Sequence, residues 1–287
     1  MPASPRAPRP EPFAIRDGHL FLEDLALTDL VEGLDGCEAW VISHAAVAAW
    51  LTKALRGRPG TVDVADIGPR EVLGQCAAAG CWARASSSHE LALAQQAGFA
   101  PRRIVAGGDV VEDGFLRDAL AAEVAVIERK GRAGEANLRR IAAALGHALP
   151  PPRGAPRTLP APPPRCGGLL APLLAGPPSL ALDAAWDAAP APDGRPVRRA
   201  PLDVLPLVLP ARRRVAAATV RGLNPRKPHR ARLHGPAERG EWVVLPLAEA
   251  AAVHRPDPAH PLPRVVMVRG AAWRPLEPRA LPPPREA

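Results

Sequence analysis

The sequence contains no tyrosine, and aromatic residues make up only 3% of its 287 positions. Proteins that hold single-stranded nucleic acid stack its bases on aromatic side chains set among basic residues. The net charge of +8 is carried mainly by scattered arginines, since lysine occurs only at Lys53, Lys130 and Lys227. We therefore predict no nucleic-acid partner, in spite of the positive charge.

Long apolar runs and clustered cysteines are also missing. No run approaches the roughly 18 apolar residues of a membrane-spanning helix, and the first residues lack the apolar core of a secretory signal. The four cysteines, Cys37, Cys76, Cys81 and Cys166, do not form two pairs at zinc spacing. These absences predict a cytoplasmic protein with no membrane span, no metal site and reduced, buried thiols.

Proline and periodicity divide the chain into segments. Residues 1–12 are predicted to be a disordered leader. Residues 13–148 alternate short apolar strands with helices, as in a parallel βα sheet or barrel. The strands are predicted at 38–43, 61–67, 81–87, 102–108 and 124–129, and a hairpin turning at "RDGH" precedes them.

Most of the 38 prolines follow residue 149. Proline fixes φ and removes a hydrogen-bond donor, so residues 149–200 are predicted to be a degenerate remainder of the barrel. Residues 201–287 contain β-like segments without intervening helices, which predicts a C-terminal β domain. The strand within 13–24 is predicted to join that domain.

Ordered motifs at both ends resemble the pyridoxal-phosphate-dependent decarboxylases of ornithine, arginine and diaminopimelate. "ASSSHELALAQQAGFAPRRIVAGG" is similar to the family's "VVSGGELxxALxAGFPPERIVFxG". "RGEWVVLPLAEAAAVHRPDPAHPLPRVVMV" is similar to its ending, in the version found in siderophore-biosynthesis decarboxylases. The resemblance implies an α/β fold: an alanine-racemase-like, TIM-type βα barrel, here shortened or incomplete, plus a C-terminal β domain.

The family's catalytic lysine, in "YAVKANP", forms a Schiff base with the cofactor aldehyde. The matching stretch here is "DVADIGP", which places Asp66, or with a shifted alignment Ala65, at the lysine position. Neither can form an imine. Lys53, Lys130 and Lys227 are the remaining amines, and each is predicted to face solvent.

Other family positions are lost or kept. The family tyrosine of "AGAY" falls on Ala251, and neither the family's histidine segment nor its phosphate loop is found in 150–210. Ser87, Gly107, Gly108 and Glu128 match positions near the family cofactor and are candidate vestigial contacts. They also have structural interpretations, as does Glu90: Ser87 ends a strand, Glu90 suits an early helical turn, and the glycines suit a tight turn.

Three hypotheses follow. The chain is a non-catalytic relative that binds no cofactor and acts as a partner or regulator, as a homodimer or in a heterodimer with an active homologue. Alternatively, it is an active decarboxylase of an amino acid or a siderophore intermediate. Finally, it is a decayed gene product, consistent with the proline-rich middle segment and the absent tyrosines.

Overall fold

The structure is a computed structural model, and it describes a subset of the chain: residues 12–35, 37–67, 69–107, 112–128, 131–149, 154–159, 166–175, 179–182, 202–209, 215–221, 229–246 and 264–276. The chain divides into two compact units. The first, which we call the β unit, combines residues 1–47 with 163–276. The second, which we call the βα unit, combines residues 48–162 with 277–287.

The βα unit contains a four-stranded sheet in the order β5-β6-β7-β8, in which every neighbouring pair is parallel. Helices connect the strands, as parallel pairing requires a crossover. The elements in chain order are β5 (Thr61–Asp63), α3 (Val64–Ile67), α4 (Arg70–Ala78), β6 (Trp82–Ala85), α5 (Ser88–Gln96), β7 (Ile104–Ala106), α6 (Asp113–Ala121), β8 (Val126–Ile127) and α7 (Gly131–Leu145).

One strand of this sheet is shorter than predicted. The segment 61–67 was expected to be extended throughout, but β5 stops at Asp63 and the chain turns into the short helix α3. Val64 and Ile67 are both buried, at the three-residue spacing of a helix face, while Ala65 and Asp66 are exposed. Helical burial of these two apolar side chains therefore prevails over the β propensity of the segment.

The segment 154–159 adds to the β5 edge of this sheet. Thr61 donates its backbone N–H to the Arg157 carbonyl at 2.8 Å and accepts from the Leu159 N–H at 2.7 Å. A parallel bridge joins Thr61 and Thr158. Within the described residues, β8 pairs with β7 alone.

The β unit contains a nine-stranded sheet in the order β10-β12-β13-β11-β14-β9-β4-β15-β16, and a three-stranded sheet β1-β2-β3. Its elements are β1 (Phe13–Arg16), β2 (His19–Leu22), β3 (Leu25–Ala26), α1 (Leu27–Gly33), β4 (Ala39–Ser43), β9 (Gly167–Ala175), β10 (Ser179–Leu182), β11 (Leu202–Pro206), β12 (Ala216–Arg221), β13 (His229–Leu233), β14 (Trp242–Pro246), β15 (Arg264–Arg269) and β16 (Ala272–Leu276). Helix α2 (His44–Leu55) spans the division between the units.

Two segments expected in the barrel lie instead in the nine-stranded sheet. β4 pairs parallel with β15 and antiparallel with β9, so the parallel βα sheet has four strands where the sequence indicated five. β9 comes from the proline-rich segment that was interpreted as a barrel remainder. Gly167 and Gly168 allow this pairing, because a Cβ on Gly168 would lie 2.8 Å from the Leu245 carbonyl oxygen.

The two faces of the nine-stranded sheet carry different hydrophobic clusters, and β10 also pairs with β9. Alternate residues of β9 enter two separate hydrophobic clusters: Leu170 packs with Leu22 and Leu30, whereas Leu169 packs with Leu233. The predicted hairpin at "RDGH" is confirmed, with positive φ at Asp17 and Gly18 as a tight hairpin turn requires. No helix in the described part of the chain is long and apolar enough to cross a membrane.

Candidate functional site

The carboxyl ends of the four parallel strands collect polar side chains at one edge of the sheet. In parallel βα folds, ligands and catalytic groups occupy this edge. Asp63 is the last residue of β5, Arg84 lies one residue before the end of β6, and Gly107 and Glu128 directly follow β7 and β8. We call this set of four residues the carboxyl edge.

Strand register brings these groups together. Asp63 is paired with Arg84, and Arg84 is paired with Val105 on the next strand. The ladder continues past the strand ends, since the Glu128 N–H donates to the Ala106 carbonyl at 2.8 Å. Glu128 therefore starts two strands away from Arg84, and its side chain has to cross β7 to reach it.

An ion pair connects the Glu128 side chain with Arg84 across β7. Arg84 Nη2 donates to Glu128 Oε1 at 2.8 Å, and Arg84 Nε lies 3.9 Å from Asp63 Oδ1. The side chains of Arg84 and Glu128 are each 27% exposed, so solvent screens the pair only in part. One guanidinium thus lies between two carboxylates at the carboxyl edge.

Gly107 provides the space for this arrangement. A Cβ at position 107 would lie 2.7 Å from Glu128 Cδ and 2.8 Å from Glu128 Cβ, closer than real Cβ contacts allow. The φ of Gly107 is outside the left-handed region, so backbone freedom is not the reason for glycine here. The predicted tight turn at Gly107 and Gly108 extends into residues 108–111, outside the described residues. In the described part of the chain, Gly107 leaves room for the Glu128 side chain.

The carboxyl edge is acidic. Burial raises the pKa of Asp63, and the nearby carboxylates of Asp66, Glu128 and Glu90 raise it further, while Arg84 acts in the opposite direction. The Arg84 guanidinium therefore does not offset the combined effect of burial and these carboxylates on the pKa of Asp63. Electrostatically, the edge disfavours an added anion in a partly desolvated site.

Ser87 and Glu90 are used to begin helix α5. Ser87 is its N-cap, and its Oγ accepts the Glu90 N–H at 3.2 Å. Glu90 Oε2 in turn accepts the Ser86 N–H at 2.8 Å and the Ser86 hydroxyl at 2.9 Å. This is close to a capping box. The Ser-x-x-Glu spacing, which was attributed to a strand end and an early helical turn, is thus the cap of one helix.

The two aligned lysine positions, Asp66 and Ala65, both lie on α3 with exposed side chains. Asp63, not Ala65 or Asp66, is the last residue of β5. Neither Asp63 nor Arg84 was among the site residues predicted from the sequence. The signal for Asp63 was available, because the i, i+3 spacing of Val64 and Ile67 marks the start of a helix.

The described residues do not fit pyridoxal phosphate. The carboxyl edge offers no amine that could form an imine, and its one cation, Arg84, is already bonded to Glu128. Lys53 is exposed on α2. Lys130, Lys227, Gly108 and Ala251 lie outside the described residues, as does the C-terminal motif of residues 247–263. No step of cofactor chemistry follows from the residues that the structure places.

A second polar cluster lies in the β unit. Arg232 contacts Asp203 through Nε and Nη2, both at 2.9 Å, and His234 Nε2 lies 2.6 Å from Asp203 Oδ1. Burial alone would raise the pKa of Asp203, but its hydrogen bonds with His234 and Arg232 hold that pKa below the ordinary value. The described residues contain no group of three or more side chains suited to hold a metal ion.

No protein-family profile and no curated protein matches the sequence. Solved structures do match. A protein of Aquifex aeolicus aligns with a TM-score of 0.72 at 15% identity, covering 93% of this chain and 95% of that one. A diaminopimelate decarboxylase from M. jannaschii aligns with a TM-score of 0.69 at 12% identity, covering 95% and 98%.

An arginine decarboxylase of Paramecium bursaria Chlorella virus aligns with a TM-score of 0.60 at 9% identity, covering 84% of this chain and 98% of that one. At these identities the similarity establishes the fold. The chain combines a parallel βα sheet with a largely antiparallel β sheet, the architecture of decarboxylases with an alanine-racemase-like barrel and a β domain. This confirms the predicted fold class.

Proposed function

We propose that the chain is a non-catalytic relative of the pyridoxal-phosphate-dependent amino-acid decarboxylases and acts as a protein partner or regulator. The observation that carries the proposal is the ion pair of Glu128 with Arg84 across Gly107. It fills the edge of the parallel sheet at which such a fold holds its ligands. Asp63, and no amine, stands at the end of β5.

The chemistry of the edge supports a loss of cofactor binding. A phosphorylated aldehyde needs an amine for its carbonyl and hydrogen-bond donors for its phosphate. The carboxyl edge instead presents the carboxylates of Asp63 and Glu128. Binding an anion there would require Arg84 to leave Glu128, which would then stand partly buried without its partner.

The β8 side of the sheet, as far as the structure describes it, supports a partner role. β8 pairs with β7 alone within the described residues, and an edge strand has backbone groups that another chain can cover. The partner we propose is a second copy of this chain or an active homologue. A link to siderophore biosynthesis and a cytoplasmic location remain predictions from the sequence.

The first experiment is to add pyridoxal phosphate to the purified protein and record the visible spectrum before and after borohydride. We expect no band that reduction fixes onto a lysine, and no carbon dioxide release from diaminopimelate, ornithine or arginine. A reducible band on a mapped lysine would overturn the proposal and favour an active decarboxylase.

Two controls sharpen this test. The variant Lys53→Arg removes the one described lysine, so a reduced lysine adduct that survives in it lies on Lys130 or Lys227. A cooperative unfolding transition shows that the protein is folded; a decayed gene product would lack this transition.

The partner role is tested by mixing the protein with an active homologue in size-exclusion chromatography. Elution of each protein alone, with this chain monomeric, would contradict that role.

A further inference from the structure

Helix α4 ends in a turn that brings two cysteines together. The Cys81 N–H donates to the Cys76 carbonyl at 3.0 Å, and the Gly80 N–H donates to the Ala77 carbonyl at 3.0 Å. Gly80 has a φ of +83°. This is the Schellman motif. Its outer hydrogen bond is the one that spans more residues, and the side chains of the two residues that this bond joins commonly contact each other. Those two residues are Cys76 and Cys81.

The same motif ends helices α5 and α6 with different side chains. The outer hydrogen bond joins Phe99 to Ala94 at 3.1 Å after α5, and Val124 to Ala119 at 3.3 Å after α6. In both cases a small apolar side chain meets a larger apolar one, which is the contact that the motif normally buries. At the end of α4 the contact is between two thiols.

The geometry suits a disulfide. A backbone hydrogen bond of 3.0 Å limits the separation of the two Cα atoms to about 7 Å, near the range of roughly 4.4–6.8 Å that disulfides span. Both side chains are fully buried, and the two thiols are hydrogen-bonded to each other. Both cysteines are free thiols in the structure.

The two thiols differ in acidity. The hydrogen bond from Cys76 lowers the pKa of Cys81, against the effect of burial, and the nearby charge of Arg103 lowers it further. The bond to Cys81 and burial raise the pKa of Cys76. Because the thiolate is the nucleophile in disulfide exchange, the lowered pKa favours Cys81 as the attacking thiol.

We propose that Cys76 and Cys81 are a redox modification site that closes to a reversible disulfide when the protein meets a low-molecular-weight disulfide. The Cys81 thiolate attacks one sulfur of the small disulfide, forms a mixed disulfide and releases one small thiolate. The Cys76 thiol then loses its proton to solvent and attacks the Cys81 sulfur, releasing the second small thiolate. The protein loses two electrons and the small disulfide gains them.

The proposed bond ties the end of α4 to the residue that precedes β6, the strand that carries Arg84. Both thiols are buried, so exchange requires the last turn of α4 to open, as helix ends do more readily than helix interiors. Once formed, the bond would hold that turn closed. The redox state would therefore set how often the start of β6 opens, whether or not the carboxyl edge retains chemistry.

The test is oxidation of the purified protein with glutathione disulfide, followed by denaturation, alkylation and trypsin. Cleavage after Arg70 and Arg84 releases residues 71–84, which contain both cysteines. We expect this peptide to be unalkylated and about 2 Da lighter than its reduced form, and to return to the reduced mass with dithiothreitol. Full alkylation of both cysteines, or a glutathione adduct that stays on Cys81, would overturn the proposal.

Matched variants identify the attacking thiol and test its consequence. Cys76→Ala leaves Cys81 without a resolving thiol and should stop at the mixed disulfide. Arg103→Gln removes the positive charge that lowers the Cys81 pKa, so it should slow closure measurably, and an equal rate would contradict the assignment of Cys81 as the attacking thiol. Cys76→Ala with Cys81→Val copies the Ala119–Val124 pair of α6. In this variant the amide exchange of Gly80 should not respond to glutathione disulfide, whereas in the wild type it should slow.

Discussion

Replacing Gly107 by alanine should destabilise the βα unit through one identifiable contact. The new Cβ would lie 2.7 Å from Glu128 Cδ and 2.8 Å from Glu128 Cβ. Relief of the Cδ contact requires the Glu128 side chain to move away from Arg84, and relief of the Cβ contact requires a backbone shift. Overpacking of this kind costs about 1–3 kcal/mol. The charge-assisted hydrogen bond to Arg84, if it is lost, adds about 1 kcal/mol after allowance for partial exposure.

A double-mutant cycle separates this contact from a general effect of alanine at position 107. A Glu128→Gly background removes the three atoms nearest to the Cβ at position 107, so Gly107→Ala should cost close to nothing there. In a Glu128→Ala background the 2.8 Å contact with Cβ persists, and the cost should be intermediate. The predicted coupling between positions 107 and 128 is therefore about 2 kcal/mol, within the range measured for residues in contact.

The assay is urea unfolding followed by tryptophan fluorescence and circular dichroism. Gly114→Ala is the matched control, because Gly114 lies within α6 and a Cβ there meets nothing within 4 Å. It should not destabilise the protein, and because Gly114 is only the second residue of α6 the gain should stay below about 1 kcal/mol. If the effects of Gly107→Ala and Glu128→Gly simply add, the assignment of Gly107 as the passage for Glu128 is refuted.

Two further predictions concern other carboxylates. Glu90→Ala should destabilise α5 by about 1–2 kcal/mol, since it leaves the Ser86 N–H without its acceptor. Urea unfolding of Glu90→Ala beside Ser87→Ala measures this loss. A loss below about 0.5 kcal/mol, as for an ordinary exposed substitution, would contradict the prediction. Asp203 has a folded-state pKa below its ordinary value of 3.8, so its stabilisation is present above that pH and is lost as pH falls through the lower folded-state pKa. Asp203→Asn should accordingly cost about 1 kcal/mol at neutral pH and little in acid. Asp63 should show the opposite sign, because its folded-state pKa is raised. As pH falls and the wild-type carboxyl protonates, the wild type gains stability, so the free energy of unfolding of Asp63→Asn falls relative to it. If the stability differences of both variants from the wild type change in the same direction with pH, one assignment is wrong.

Local signals determined much of the βα unit. The alternation of apolar strands and helices predicted β6, β7 and β8, and a glycine, Gly80, follows the end of α4 as glycine commonly does. The Ser87 and Glu90 spacing contained the cap of α5, although it was interpreted as two separate features. These features could be found from sequence because a helix end or a turn depends on residues within about five positions of one another.

The pairing of distant segments was decided only by tertiary structure. β4 reads locally like the strands that follow it, yet it pairs with β15 and β9, which lie more than a hundred residues away. Likewise, nothing near Gly107 in sequence indicates that Glu128 will cross it to reach Arg84 on β6. Strand register places these three groups together, and register depends on which strands bury which faces. The sequence therefore determined the elements and the chemical groups available to this protein, and the folded sheet determined which of those groups meet.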